Sequence, residues 1–142
     1  MSLITSILEY VARYQAVSID HLTQIDCVKM DAKQVHWASE FFVESRCFSN
    51  ALNMSVVDEC DVVVGYVYSP DVGIAVEHAW NAEGSVHYDL TSQLFWGSDG
   101  DDMYVQLLRL TANEAMSFFE SNKGVDHMAL RNSPKYKYLF GR

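Results

Sequence analysis

Three residue types that together perform nucleophilic acyl chemistry occur in order along the chain, as Cys47, His78 and Asp89. Cys47 lies near the predicted start of a helix, where the helix dipole and free backbone N–H groups would stabilise a thiolate. His78 and Asp89 lie in two Val-, Tyr- and Trp-rich runs that flank the turn signal Glu83-Gly84 and predict a β-hairpin. A thiolate paired with a histidine that a carboxylate orients can attack a carbonyl and protonate its leaving group.

The register of this hairpin decides whether His78 and Asp89 can meet. A two-residue loop at Glu83-Gly84 pairs Ala82 with Ser85 and places His78 opposite Asp89, with Cβ atoms about 4.5–5.5 Å apart. The carboxylate would then fix one imidazole nitrogen and leave the other free as a base. We therefore predict an even-numbered loop, a hydrogen bond between the two side chains, and the sulfur of Cys47 within about 4 Å of the free nitrogen. A three-residue loop would turn Asp89 to the far face.

Two other interpretations of these residues stay open. Free cysteine is among the most buried residue types, so Cys47 could be a small core residue. In the predicted register His87 shares a face with His78 and Asp89, and two histidines with a carboxylate could bind a metal. No further ligand is evident in the sequence, so no metal and no cofactor are predicted.

The predicted elements place helices first and strands after them. Helical periodicity and capping residues predict four helices: 3–14, one from Ser18 through Cys27, one opened by Asp31 with Gln34 and ending near Ser45, and one over 46–57 that Ser45 caps. Strand patterns cover 62–68, the two hairpin arms and 103–110, and Thr111 with Glu114 opens a last helix that closes at Gly124. The fold class is therefore α+β, with N-terminal helices packed on an antiparallel β-meander.

Composition limits the function classes. The 142 residues, 49% hydrophobic, predict one domain over 1–142, and a net charge of −9 argues against a protein that grips nucleic acid. No apolar run reaches the roughly 20 residues that span a membrane, and no signal peptide is evident. Three cysteines, an odd number without CxxC spacing, favour free thiols and a cytoplasmic protein. A protein or small acyl substrate is the expected partner, with neither nucleic acid nor membrane.

A set of short motifs resembles a known family. The order Cys47-Phe48-Ser49-Asn50-Ala51, Gly65-Tyr66, Glu77-His78-Ala79-Trp80-Asn81 and Asp89-Leu90-Thr91 is similar to the transglutaminase-like branch of the papain-like superfamily, and to small bacterial and phage proteins of that type. The resemblance covers roughly residues 45 to 110. The chain departs from the pattern at Leu90, where Asp-Pro-Thr is usual, and at Glu44-Ser45-Arg46, where a glycine is expected.

The resemblance implies a papain-like core with Cys47 as nucleophile, His78 as base and Asp89 as its orienting partner. Such sites often use an upstream Gln, Asn or Trp at the oxyanion, which makes Gln34, Trp37 and Asn50 candidates, and Trp80 is a further candidate for substrate contact. The predicted function is a cysteine hydrolase or acyltransferase acting on an amide, isopeptide or thioester bond. The alternative is a non-catalytic acidic binding or inhibitor protein that retains this fold.

Overall fold

The computed structural model describes residues 3–69, 73–96 and 102–140. Its helices are α1 (Leu3–Gln15), α2 (Ala32–Phe41), α3 (Cys47–Asp58), α4 (Leu90–Phe95), α5 (Ala112–Asn122) and α6 (His127–Arg131). Its strands are β1 (Thr23–Ile25), β2 (Cys27–Val28), β3 (Asp61–Ser69), β4 (Ile74–Glu83), β5 (Val86–Tyr88) and β6 (Met103–Leu110). Short 3₁₀ turns cover Ile19–His21 and Lys137–Leu139. Within these ranges no helix has the length and apolar character needed to cross a membrane.

The strands form one sheet in the order β1-β6-β3-β4-β5-β2. Neighbours pair antiparallel except β2 and β5, which are parallel. The α+β class is as predicted, but the predicted meander is wrong at its last strand. β6 pairs with β3 instead of following β5, because α4 intervenes after β5 and the chain returns to the opposite side of β3. Among the described strands, β3, β4 and β5 alone form a meander.

The central strand β3 is buried on both faces, so its valines form a continuous apolar run. Val62 and Val64 face a core that α1, α3 and α5 complete, and Val63 faces a second cluster with Trp80 and Tyr104. Successive side chains of a strand alternate between faces, which explains why both clusters draw on the same run. The sheet is therefore covered on the side that carries His78 as well as on the helical side.

One predicted helix and one predicted helix cap are wrong. The predicted helix from Ser18 to Cys27 is only the 3₁₀ turn that Ser18 caps, and the following residues form β1 and β2, which pair with β6 and β5. Strand pairing at the sheet edges outweighs local helix propensity here. Ser45 does not cap α3, because Arg46 is the N-cap and Ser45 adopts a left-handed φ of 66°.

The predicted starts of two other helices are confirmed, although both helices end earlier than predicted. Asp31 caps α2 by accepting the N–H of Gln34, although α2 ends at Phe41, earlier than predicted. Thr111 and Glu114 form the predicted capping box of α5, which ends at Asn122 with Lys123 as C-cap. The predicted loop at 98–102 lies almost wholly outside the described residues.

Gly65 allows close contact between β3 and β6, at an irregularity in their pairing between Val64 and Gly65. A Cβ at this position would lie 2.1 Å from the carbonyl oxygen of Val105 and 3.0 Å from the Trp80 ring. We expect Gly65→Ala to lower the free energy of unfolding by about 1–3 kcal/mol, measured by urea denaturation, because backbone must move to admit the methyl group. Gly124→Ala is the control, since its Cβ would meet nothing closer than 3.7 Å. Equal stability of the two variants would contradict this account of Gly65.

Candidate functional site

His78 and Asp89 form a buried hydrogen bond. Nε2 of His78 lies 2.7 Å from Oδ2 of Asp89, and both side chains are almost fully buried. The predicted contact between these two side chains is confirmed. Because Nε2 faces the carboxylate, Nδ1 is the nitrogen left for another partner.

The two residues meet by a different route from the predicted one. The observed pairs are Glu83 with Val86, Ala82 with His87 and Asn81 with Tyr88, so the loop is Gly84-Ser85. The loop has two residues, as predicted, but lies one residue further along the chain, where Gly84 takes a φ of 61°. An even-numbered shift of the pairing keeps each residue on its predicted face, because side chains alternate along a strand.

Asp89 follows β5 instead of lying within a strand opposite His78. It is the N-cap of α4, and its Oδ1 accepts the backbone N–H of Ser92 at 3.1 Å. Its Oδ2 also accepts the hydroxyl of Tyr104 at 2.7 Å, beside the bond from His78. One carboxylate therefore caps a helix and orients an imidazole at the same time.

Cys47 is the first residue of α3 and is half-buried. Its N-cap, Arg46, provides no side-chain acceptor. The other helices whose N-caps are described all have a side-chain cap. These helices are α2, α4, α5 and α6, and their caps are Asp31, Asp89, Thr111 and Asp126. The first N–H groups of a helix have no intrahelical partner, so α3 presents free donors around Cys47.

The charge state of His78 depends on both of its partners. Burial alone would lower the pKa of His78, but the Asp89 carboxylate, and then hydrogen bonding to and charge on Cys47, raise it to about 10. These interactions favour the protonated imidazole, and Cys47 is the partner of His78 besides Asp89. Burial raises the pKa of the other two thiols, Cys27 and Cys60. Of the three thiols, Cys47 is the one that interacts with His78.

Two tryptophan rings flank the imidazole of His78. The centroid of Trp80 lies 6.2 Å away and that of Trp96 lies 5.1 Å away, with interplanar angles of 26° and 35°. Trp80 is buried, whereas Trp96 is 48% exposed and shields the imidazole at the surface. Sequence reasoning missed Trp96 and Tyr104. No local pattern around Tyr104 indicates a place in the site, because its contact with Asp89 depends on the pairing of β6 with β3.

The side-chain amide of Asn50, a predicted oxyanion candidate, is held by other contacts. Its amide nitrogen donates to the carbonyl of Val43 and to Oγ1 of Thr91, and its amide oxygen accepts the N–H of Val43. Both amide hydrogens have partners and the side chain is buried. Asn50 instead links the segment before Cys47 to α4.

The other predicted candidates lie at the far end of α3 from Cys47, as Gln34 and Trp37 do, or have another hydrogen-bond partner, as Trp80 does. Gln34 and Trp37 line a groove with Met54 and Val57, towards the C-terminal end of α3, whereas Cys47 begins that helix. Trp80 is a core residue that donates its indole N–H to the imidazole of His87. The backbone N–H groups at the start of α3 thus remain as free donors beside Cys47.

His87 is engaged by Trp80 and does not complete a metal site. The indole N–H of Trp80 donates to Nδ1 of His87 at 3.0 Å, so this nitrogen is an acceptor already in use. Within the described ranges, no three His, Cys, Asp or Glu side chains are grouped so as to hold a metal ion. The arrangement around His78 is a hydrogen-bonded series, not a ligand set.

A cavity of about 240 Å³ borders Asp89 on the side of β2. Its walls include Cys27, Asp89, Ser92 and Tyr104. Neither Cys47 nor His78 lines it. The cavity therefore lies behind the carboxylate, away from the thiol.

Comparison of the chain with protein-family models, with curated proteins and with solved structures gives no match. A function for this chain must therefore be inferred from its site. The relevant feature is a half-buried thiol, a buried imidazole and a buried carboxylate in one interacting series.

The raised pKa of His78 predicts a specific pH dependence of stability. A histidine with a folded pKa of about 10 stabilises the fold fully below its unfolded pKa of about 6.5, and this contribution is lost as the pH rises towards 10. We expect Asp89→Asn to weaken that dependence, because asparagine is also a good N-cap but carries no charge. The measurement is urea unfolding at intervals from pH 6.5 to 10, and the wild type should lose more than about 1 kcal/mol relative to the variant.

Asp126→Asn is the matched control, since Asp126 caps α6 by accepting the N–H of Ala129 and should leave the pH dependence unchanged. Parallel curves for the wild type and Asp89→Asn would show that the carboxylate does not hold the proton of His78.

Proposed function

We propose that this protein is a cysteine-dependent acyl-transfer enzyme, a hydrolase or transferase acting on an amide, isopeptide or thioester bond. The observation that carries the proposal is the series from Cys47 through His78 to Asp89, with Cys47 at an uncapped helix start. A thiol, an imidazole and a carboxylate in this order supply a nucleophile, a proton carrier and an orienting group.

The proposed reaction begins with the thiolate of Cys47. It attacks the substrate carbonyl carbon, and the electron pair of the C=O bond moves to the oxygen, which backbone N–H groups at the start of α3 stabilise. The protonated imidazole of His78 then gives its proton to the leaving nitrogen or sulfur as the bond to carbon breaks. The product of this half-reaction is a thioester on Cys47.

The second half-reaction returns the enzyme to its starting state. Neutral His78 removes a proton from water or from an acceptor amine, which attacks the thioester carbonyl and releases the thiolate of Cys47. Asp89 keeps Nδ1 of His78 directed towards the sulfur throughout, because it holds Nε2 at 2.7 Å. Water as the acceptor makes the enzyme a hydrolase, and an amine makes it a transferase.

The fold is consistent with the transglutaminase-like resemblance and supports this proposal. A helix that begins at the cysteine packs against the strand that carries the histidine, and the aspartate follows the next strand along the chain. Ser45, two residues before Cys47, adopts the left-handed φ that glycine favours, at the place where the related pattern has a glycine close before the cysteine.

The first test is thiol reactivity. We expect iodoacetamide at pH 6–7 to label Cys47 before Cys27 and Cys60, because alkylation follows the thiolate fraction and burial raises the pKa of the other two thiols. Peptide mapping by mass spectrometry gives the rate at each site. His78→Gln should slow the labelling of Cys47 at least about tenfold.

His87→Gln is the control, because it removes a buried histidine that bonds Trp80 instead of Cys47. Equally slow labelling of all three cysteines would contradict the enzyme proposal and favour a non-catalytic binding protein, which needs no reactive thiol.

The second test is formation of the thioester intermediate. A small acyl thioester mixed with the protein should add the mass of one acyl group at Cys47, seen by intact mass measurement after acid quenching. Cys47→Ala should abolish the adduct and Cys60→Ala should retain it, since Cys60 is buried and bonded to Tyr88. An acyl adduct on Cys47→Ala, or none on the wild type, would count against the proposed reaction.

A further inference from the structure

We propose that Tyr104 is a positioning residue for this site, whose hydroxyl shares one oxygen of Asp89 with His78 and so limits how strongly Asp89 holds the imidazolium. The inference rests on the proposed function for its catalytic meaning. The effect of Tyr104 on the protonation of His78 can be measured even if the protein has no acyl-transfer activity.

The geometry places two donors on one acceptor atom. Oδ2 of Asp89 accepts Nε2 of His78 at 2.7 Å and the hydroxyl of Tyr104 at 2.7 Å. The other oxygen, Oδ1, accepts the backbone N–H of Ser92. The carboxylate therefore has three donors, and two of them compete for the negative charge on the same oxygen.

Tyr104 can only be a donor in this contact. Burial and the charge of Asp89 raise its pKa far above the ordinary tyrosine value, so the hydroxyl keeps its proton. Its ring packs edge-on against Trp80, with centroids 5.1 Å apart and an interplanar angle of 75°, and the side chain is buried. The position of the hydroxyl is thus fixed by the pairing of β6 with β3 and by the contact of the Tyr104 ring with Trp80 on β4.

This sharing has a consequence for proton transfer. A buried carboxylate bonded to His78 alone would favour the protonated imidazole more strongly, and the imidazolium would give up its proton less readily. A second hydrogen bond to Oδ2 disperses the charge and weakens that preference. Tyr104 therefore keeps His78 able both to give a proton to the leaving group and to remove a proton from the attacking water or amine.

The test compares Tyr104→Phe with the wild type. Phenylalanine keeps the ring that packs on Trp80 and removes only the hydroxyl. The protonation of His78 is followed by NMR titration of its imidazole signals, and we expect its pKa to rise by about half a pH unit to one unit, since a charge-assisted hydrogen bond is lost. The basic limb of the acyl-transfer rate against pH should move upward by a similar amount, and the maximal rate should fall.

Tyr88→Phe is the matched control. Tyr88 is also buried, and its hydroxyl donates to the sulfur of Cys60 at 3.1 Å, outside the series. This variant should lose a similar amount of stability and leave both the titration of His78 and the rate profile unchanged.

The outcomes separate this inference from the proposed function. An unchanged titration of His78 in Tyr104→Phe would overturn the inference, and so would an equal change in Tyr88→Phe. A rise confined to Tyr104→Phe supports the inference, whether or not the wild type forms an acyl adduct. Absence of that adduct would count only against the proposed function.

Discussion

The hydrogen bond between His78 and Asp89 is the constraint on which the rest of the site depends. A buried pair of ionisable groups is stable only if its remaining hydrogen-bonding capacity is met, because desolvation of each charge is costly. The structure meets this requirement with the hydroxyl of Tyr104 and the backbone N–H of Ser92. β4, β6 and α4 thus converge on one carboxylate, and none of them could shift without leaving a buried charge short of a partner.

The topology explains how residues far apart in the chain reach this carboxylate. Because β6 lies beside β3, it brings Tyr104 to the same face of the sheet as Trp80. The helix of Cys47 is fixed on β4, where the amide of Asn81 donates to the carbonyl of Ala51 at 2.9 Å. The thiol of Cys47 and the imidazole of His78 are therefore carried by two elements, α3 and β4, that are hydrogen-bonded to each other.

Local patterns in the sequence were sufficient to predict the contact between His78 and Asp89, but not the helix after Asp89 or the contact with Tyr104. The even-numbered loop and the meeting of His78 with Asp89 follow from the two-residue period of strands, which survives the displacement of the loop by one residue. Asp89-Leu90-Thr91 was predicted as strand, but a carboxylate that can cap a helix ended β5 instead. Tyr104 became part of the site through the pairing of β6 with β3, and strand order is not encoded in any local pattern.

The start of α3 has no side-chain cap. In the proposed reaction the carbonyl oxygen of the substrate takes the place that Asp31, Asp89, Thr111 or Asp126 occupies at the other helices. A bound acyl group would then act as the N-cap of α3, because its oxygen would accept the first N–H groups of the helix. Binding of the substrate would therefore stabilise the first turn of α3. This stabilisation would be greatest while the oxygen carries negative charge, because the helix dipole favours an anion at its N-terminus.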